Sequence, residues 1–124
     1  MSKMMPQEIE VFYLLPAMRR ELAKVFVHDY KISQKDAAGL LGITESAISQ
    51  YLTSKRASEI RFSDKELKRV KSSAAAILKD KKNIVKHLYD LSVILRGSDA
   101  MCVFHKAHDK GVAHNCTLCM ANSP

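Results

Sequence analysis

The sequence predicts an all-α protein: a helical domain over residues 6–95 and a small Cys/His metal-binding extension over residues 98–124. Three observations predict it. Apolar residues recur at intervals of three and four along most of the first 95 residues, the spacing that keeps side chains on one helix face. Residues 33–53, SQKDAAGLLGITESAISQYLT, read as two short capped helices with a tight turn between them. Beyond residue 98 the chemistry changes, and all three cysteines lie between Cys102 and Cys119.

In chain order, Met1–Met5 are expected to fray. Pro6, Gln7, Glu8 and Glu10 suit a helix N-terminus, where proline needs no N–H partner and acids meet the positive end of the dipole. Val11, Phe12, Leu14 and Leu15 are too densely apolar to face water. Pro16 is then expected to interrupt this helix and to start a second one at its first turn. The second helix sets Met18, Leu22, Val25 and Phe26 on one stripe, opposite Arg19, Arg20, Glu21 and Lys24, and should end near Asp29. A solvated face accounts for its arginines better than phosphate contact. His28, alone near the helix end, reads as a surface or packing histidine.

Ser33 is a good N-cap, and Asp36 three residues on can return the bond. Ala37, Ala38 and Leu41 form an apolar face. Gly42 stops the helix where a positive φ is needed. Ile43 turns into the core, and Thr44 caps the next helix, whose buried stripe is Ile48, Tyr51 and Leu52. The small Ala38 lets the two helices cross closely. This is the sequence form of a helix-turn-helix, whose second helix is built to lie in the major groove of DNA. Glu45, Ser46, Ser49 and Gln50 are left exposed on that helix, polar and not needed for packing. A base-reading surface requires such donors and acceptors at helical spacing. On residue type, Ser46, Ser49 and Gln50 are expected to face base edges, with Gln50 suited to adenine and Glu45 to cytosine. The competing reading is a pair of core helices with an ordinary solvated face; the agreement of Gly42, Ala38, both caps and the apolar positions favours DNA.

The stretch SQKDAAGLLGITESAISQYLTSKR resembles the helix-turn-helix of the XRE family of Cro- and phage-repressor-like transcriptional regulators. The upstream run LPAMRRELA strengthens the match, which covers residues 6–56. It is similar to a group of archaeal and bacterial predicted regulators whose C-terminal tails are commonly rich in cysteine. The resemblance implies sequence-specific binding to double-stranded DNA. It further implies that Gln34, at the start of the first of the two helices, contacts a phosphate. Lys55 and Arg56 match the basic turn that follows the recognition helix and reaches the DNA backbone in the family. Thr44, besides capping, is placed to touch the same backbone.

From Thr53 to Lys86, eleven Lys and Arg stand against four Asp and Glu, a surplus of seven that equals the whole formal net charge of +7. Such a balance favours a polyanionic partner without setting sequence preference. Ser63 and Asp64 open a helix running towards Lys79, with Leu67, Val70, Ala74, Ile77 and Leu78 on its apolar face. Lys65, Lys68, Arg69 and Lys71 lie elsewhere on its surface, either solvated or in part against phosphate. Asp80-Lys81-Lys82-Asn83 is a break. Ile84, Leu88, Leu91 and Leu95 then recur as a packing seam. With Val85, Val93 and Ile94 that helix is apolar over more than half its circumference. It is either the last core element or, in part, the seam of a homodimer.

Arg96-Gly97 closes that helix. The spacing Cys102-x2-His105-x10-Cys116-x2-Cys119 follows. Two residues between paired ligands let both donors reach one tetrahedral ion, and Cys102 and His105 would lie one helical turn apart on one face. A closed Cys3His zinc site is the first expectation; an iron–sulfur cluster on three thiolates and an imidazole is the alternative. His108 and His114 are also within reach and leave the fourth ligand open. The role of His105 is argued from spacing and does not come from the family. Apolar packing is expected to stabilise the helical domain and coordination the tail, as separate contributions.

No apolar run approaches a membrane span, and no charged region followed by an apolar segment and a cleavage site is visible, so a cytoplasmic location is expected. Three cysteines there are not expected to form structural disulfides. No Gly-rich phosphate loop and no Ser/His/Asp set appears, and a closed metal site leaves no position for substrate, so an enzyme is not expected. Two function classes remain: a DNA-binding transcriptional regulator with a metal centre, and a metal-stabilised protein–protein interaction adaptor.

Overall fold

Helix α1 spans residues 6–29 without the break expected at Pro16. Proline has no N–H to donate, and its ring crowds the carbonyl four residues back, which kinks a regular α-helix. Here Glu10–Leu14, directly before it, is wound as a π-helix in which the Leu15 N–H donates to the Glu10 carbonyl five residues back. The wider turn accommodates the ring. The backbone through it stays right-handed helical, with Leu14 at φ −68°, ψ −50° and Leu15 at φ −62°, ψ −44°. The two helices expected around Pro16 are therefore one, α-helical at Pro6–Ile9 and Leu15–Lys24. The Glu8 carboxylate accepts the Met5 N–H at 2.9 Å and closes its N-terminus.

A second π turn, Val25–Asp29, ends α1 where the sequence places the end. No glycine follows, so Lys31 takes the left-handed conformation at φ 58°. The Ile32 N–H then closes onto the Phe26 carbonyl at 3.0 Å.

The computed structural model describes residues 5–53, 60–96 and Phe104. The expected fraying at Met1–Met4, the basic turn at Lys55 and Arg56, the close at Gly97 and the Cys/His extension apart from Phe104 lie outside the described residues. After α1 come α2 (Gln34–Leu41), α3 (Glu45–Thr53), α4 (Asp64–Lys79), a short 3-10 turn (Lys81–Asn83) and α5 (Ile84–Arg96). Among the described residues the protein is all helix, with no strand.

Helices α2, α3 and α4 each start where a hydroxyl side chain takes over an orphan N–H. Ser33 Oγ accepts from the Asp36 N–H at 3.1 Å, and Thr44 Oγ1 from the Ala47 N–H at 3.0 Å. At Ser63 the bond is returned: Glu66 Oε1 accepts the Ser63 N–H at 2.7 Å, and Ser63 Oγ accepts the Glu66 N–H at 3.4 Å. That exchange buries Glu66, whose side chain the sequence pattern alone leaves on the polar face.

Helix α1 is the centre of the bundle: α2, α3 and α4 all pack on it, and α5 packs on its π stretch and on α4. The shared core holds Leu14, Met18, Leu22 and Phe26 of α1, Ala37, Ala38 and Leu41 of α2, and Ile48 and Tyr51 of α3. Val70, Ala74 and Ile77 of α4 and Leu91 and Leu95 of α5 also contribute. Full burial of one such leucine, methionine or phenylalanine contributes roughly 1.5–3 kcal/mol. The expected stripes from Met18 onward are thus buried, with Leu52, Leu67, Leu78, Ile84 and Leu88 half-buried at the margins. Val11 and Phe12, expected to avoid water, are instead 58% and 61% exposed, because α1 turns Leu14, not these two, towards the core.

Candidate nucleic-acid interface

Helix α3 has two unlike faces. Ala47, Ile48 and Tyr51 are buried against α1 and α2, with Leu52 half-buried beside them. The opposite face carries Thr44, Glu45, Ser46, Gln50 and Thr53, all exposed. Ser49 is half-buried at the edge of that face, and its carbonyl accepts from the Thr53 hydroxyl at 2.7 Å. Four polar side chains of this short helix, and its N-cap Thr44, therefore lie outside the core.

The pose of α3 is set by the turn before it. Gly42 adopts φ 67°, ψ 32°. That left-handed residue lets the Ile43 N–H return to the Ala38 carbonyl at 3.1 Å and reverses the chain within three residues. Ala38, 6% exposed, offers only a methyl where α2 meets α3. Gln34 is half-buried as the first residue of α2, at the positive end of that helix. The sequence-predicted residues Gln34, Thr44, Glu45, Ser46, Ser49 and Gln50 thus all belong to one pair of helices joined by this turn. Lys55 and Arg56 lie outside the described residues.

Positive charge is concentrated elsewhere on the surface. Arg61, Lys65, Lys68, Arg69 and Lys71 are exposed on and before α4, and Lys79, Lys81 and Lys82 at its far end. None of them makes an ion pair among the described residues. The arginines of α1 are more constrained: Arg20 lies 3.3 Å from Glu21, which also holds Lys24 at 3.5 Å. An open groove of about 450 Å³ runs between the end of α1 and α4. It mixes Glu21, Asp29 and Asp64 with Lys24, Lys68 and Lys71, so it has no single sign to offer a polyanion. His28 borders it and is exposed, as a surface histidine should be.

The candidate ligands Cys102, His105, Cys116 and Cys119, and the alternatives His108 and His114, lie outside the described residues. Among the described residues no group of three or more His, Cys, Asp or Glu could hold a metal ion. Phe104 is the one position of the expected extension that is described, and the sequence reading passed over it. It is 4% exposed and belongs to the core cluster, its ring centroid 4.5 Å from that of Tyr13 at an interplanar angle of 44°. The signal available was a phenylalanine ending the apolar run Ala100-Met101-Cys102-Val103-Phe104, between two candidate metal ligands.

No known protein family, no curated protein and no solved structure matches the chain. No described helix is long and apolar enough to cross a membrane.

Proposed function

We propose that this chain is a sequence-specific, double-stranded DNA-binding transcriptional regulator that acts as a homodimer and carries a C-terminal metal centre. The observation that carries the reading is the two-faced helix α3, held across a glycine turn from α2 with its polar face free of core duties. On this reading α2 and α3 are a helix-turn-helix of the XRE kind that residues 6–56 resemble. Helix α3 enters the major groove. Gln50, exposed and the longest of the uncharged side chains, reads adenine, and Ser46 reads beside it. Glu45 accepts from cytosine or discriminates against wrong sites. Ser49, half-buried, contributes at the edge. Gln34, Thr44, Lys55 and Arg56 hold the DNA backbone and fix register.

The proposed dimer is supported by exposed apolar side chains. On α5, Val85 is 77%, Tyr89 62% and Ile94 44% exposed, and Val11 and Phe12 of the adjoining α1 are 58% and 61% exposed. A second copy covering these side chains would form a two-fold pair, for which half-sites about one helical turn apart are expected. Exposed apolar side chains in such number also fit the adaptor reading, in which they receive another protein. The metal centre is proposed on Cys102, Cys116 and Cys119 with His105, as a structural zinc site or, alternatively, an iron–sulfur cluster.

Selection of bound duplexes from a random pool tests the function. A regulator yields a two-fold related site with affinity far above bulk DNA at about 0.15 M salt. Gln50→Ala then relaxes one position per half-site at a cost of roughly 1–3 kcal/mol. Binding without sequence preference would discard the regulator in favour of the adaptor. Metal analysis and an absorption spectrum of protein purified without oxygen separate colourless zinc from a coloured cluster.

A further inference from the structure

Phe104 sits between Cys102 and His105 in the chain and inside the helical body in space. Its ring meets Tyr13, in the π stretch Glu10–Leu14 of α1, at 4.5 Å between centroids. That stretch is also where α5 docks, with Arg96 Nη1 3.9 Å from Glu10 Oε2. We propose that Phe104 couples metal binding at the Cys/His cluster to the stability of the helical body: a seated Phe104 ring and a loaded metal site favour one another. The inference rests on the proposed metal centre.

The coupling has a physical basis on both sides. Seating the Phe104 ring against Tyr13 carries a cost in conformational entropy. An ion held by Cys102 and His105 ties the chain immediately on either side of the ring, so coordination already accounts for part of that cost. In the other direction, a seated ring confines residues 102 and 105 to the neighbourhood of one point. That raises the effective concentration of each ligand for an ion bound by the other. Linkage then makes the effect reciprocal: the factor by which seating improves metal affinity is the factor by which metal improves seating. Packing and coordination, expected from the sequence to act separately, share one residue.

The test uses the full chain with zinc under reducing conditions, as wild type, Phe104→Ala, Phe104→Leu and Tyr13→Leu. Two readouts are taken: zinc affinity by competition with a chromophoric chelator, and thermal unfolding of the helical circular dichroism with and without zinc. In the wild type, zinc should raise the melting temperature by about 5 °C or more. In Phe104→Ala that rise should largely vanish, and zinc affinity should fall about tenfold while one zinc per chain is still bound. Phe104→Leu, which keeps apolar bulk, and Tyr13→Leu, which keeps Phe104, should both lie between and so decide the matter if the alanine variant does not fold. One zinc per chain with the same affinity and the same thermal shift in all four proteins would overturn the coupling while leaving the metal centre intact. No stoichiometric zinc in the wild type would instead remove the metal centre, and this inference with it.

Discussion

Ser63 and Glu66 hold each other across the first turn of α4, the Ser63 N–H on Glu66 Oε1 at 2.7 Å and the Glu66 N–H on Ser63 Oγ at 3.4 Å. Two orphan donors are satisfied by two side chains, so either loss uncovers an amide. The other carboxylate oxygen, Oε2, is buried with no hydrogen-bond partner among the described residues. Ser63→Ala should cost about 1 kcal/mol in chemical denaturation, and Glu66→Ala about the same or more. Glu66→Gln keeps the acceptor and removes the buried charge, so it should stay within about 0.5 kcal/mol of wild type.

Gly39 and Gly42, three residues apart, should respond to alanine with opposite signs. Nothing among the described residues lies within 4 Å of a Cβ added at either, so packing does not decide. Gly42 sits at φ 67°, where a side chain is strained by roughly 1–2 kcal/mol, only partly offset by a stiffer unfolded chain. Gly42→Ala should therefore destabilise by about 1 kcal/mol. Gly39 is inside α2 with no positive φ, so Gly39→Ala should stabilise by roughly 0.5–1 kcal/mol. Thermal melts of the two variants side by side check both signs.

Much of this fold could be read from residue order because its signals are local. A serine or threonine at the caps of α2, α3 and α4, a glycine at the α2–α3 turn and apolar spacing of three and four fix where these helices begin, end and face. What the sequence hid was non-local or rare. Pro16 reads as a break, because nothing in a linear pattern announces a π turn one residue ahead of it. Phe104 reads as tail, because its partner Tyr13 is some ninety positions away and only the fold brings them together. Ser63-x-x-Glu66 has the spacing of a capping pair, but the burial of Glu66 depends on packing that the local pattern does not carry. For the candidate interface, the identity of the outward residues on α3 was legible and the half-burial of Ser49 was not, since that depends on neighbouring structure.

Asp80 should titrate below the ordinary carboxyl value of 3.8, held there first by the Asn83 side-chain amide and then by His87. Asn83 Nδ2 reaches both of its oxygens at 3.1 Å, and His87 Nε2 lies 3.1 Å from Oδ2. A carboxyl with a lowered folded-state value adds stability at pH above the unfolded value and loses it as pH falls through the folded one. The effect therefore belongs to the acid limb, and the exposure of Asp80 keeps it small. Asn83→Ala should move the Asp80 midpoint up towards 3.8 in an NMR titration. An unmoved midpoint would show that the amide does not set it.

The last prediction separates assembly from folding on α5. Val85 and Tyr89, one helical turn apart, are 77% and 62% exposed, so neither supports the core of its own chain. The double variant Val85→Glu, Tyr89→Glu should leave the thermal unfolding of a single chain nearly unchanged, within about 0.5 kcal/mol per site. The same charges at a dimer seam would be buried without partners, a cost large enough to dissociate it. Light scattering after size exclusion should therefore report a dimer for the wild type and a monomer for the variant. Affinity for a two-half-site duplex should fall towards that for a single half-site, because a monomer places one α3 helix only. A variant that remained dimeric would move the seam elsewhere on the surface, with Val11 and Phe12 of α1 the next exposed pair to substitute.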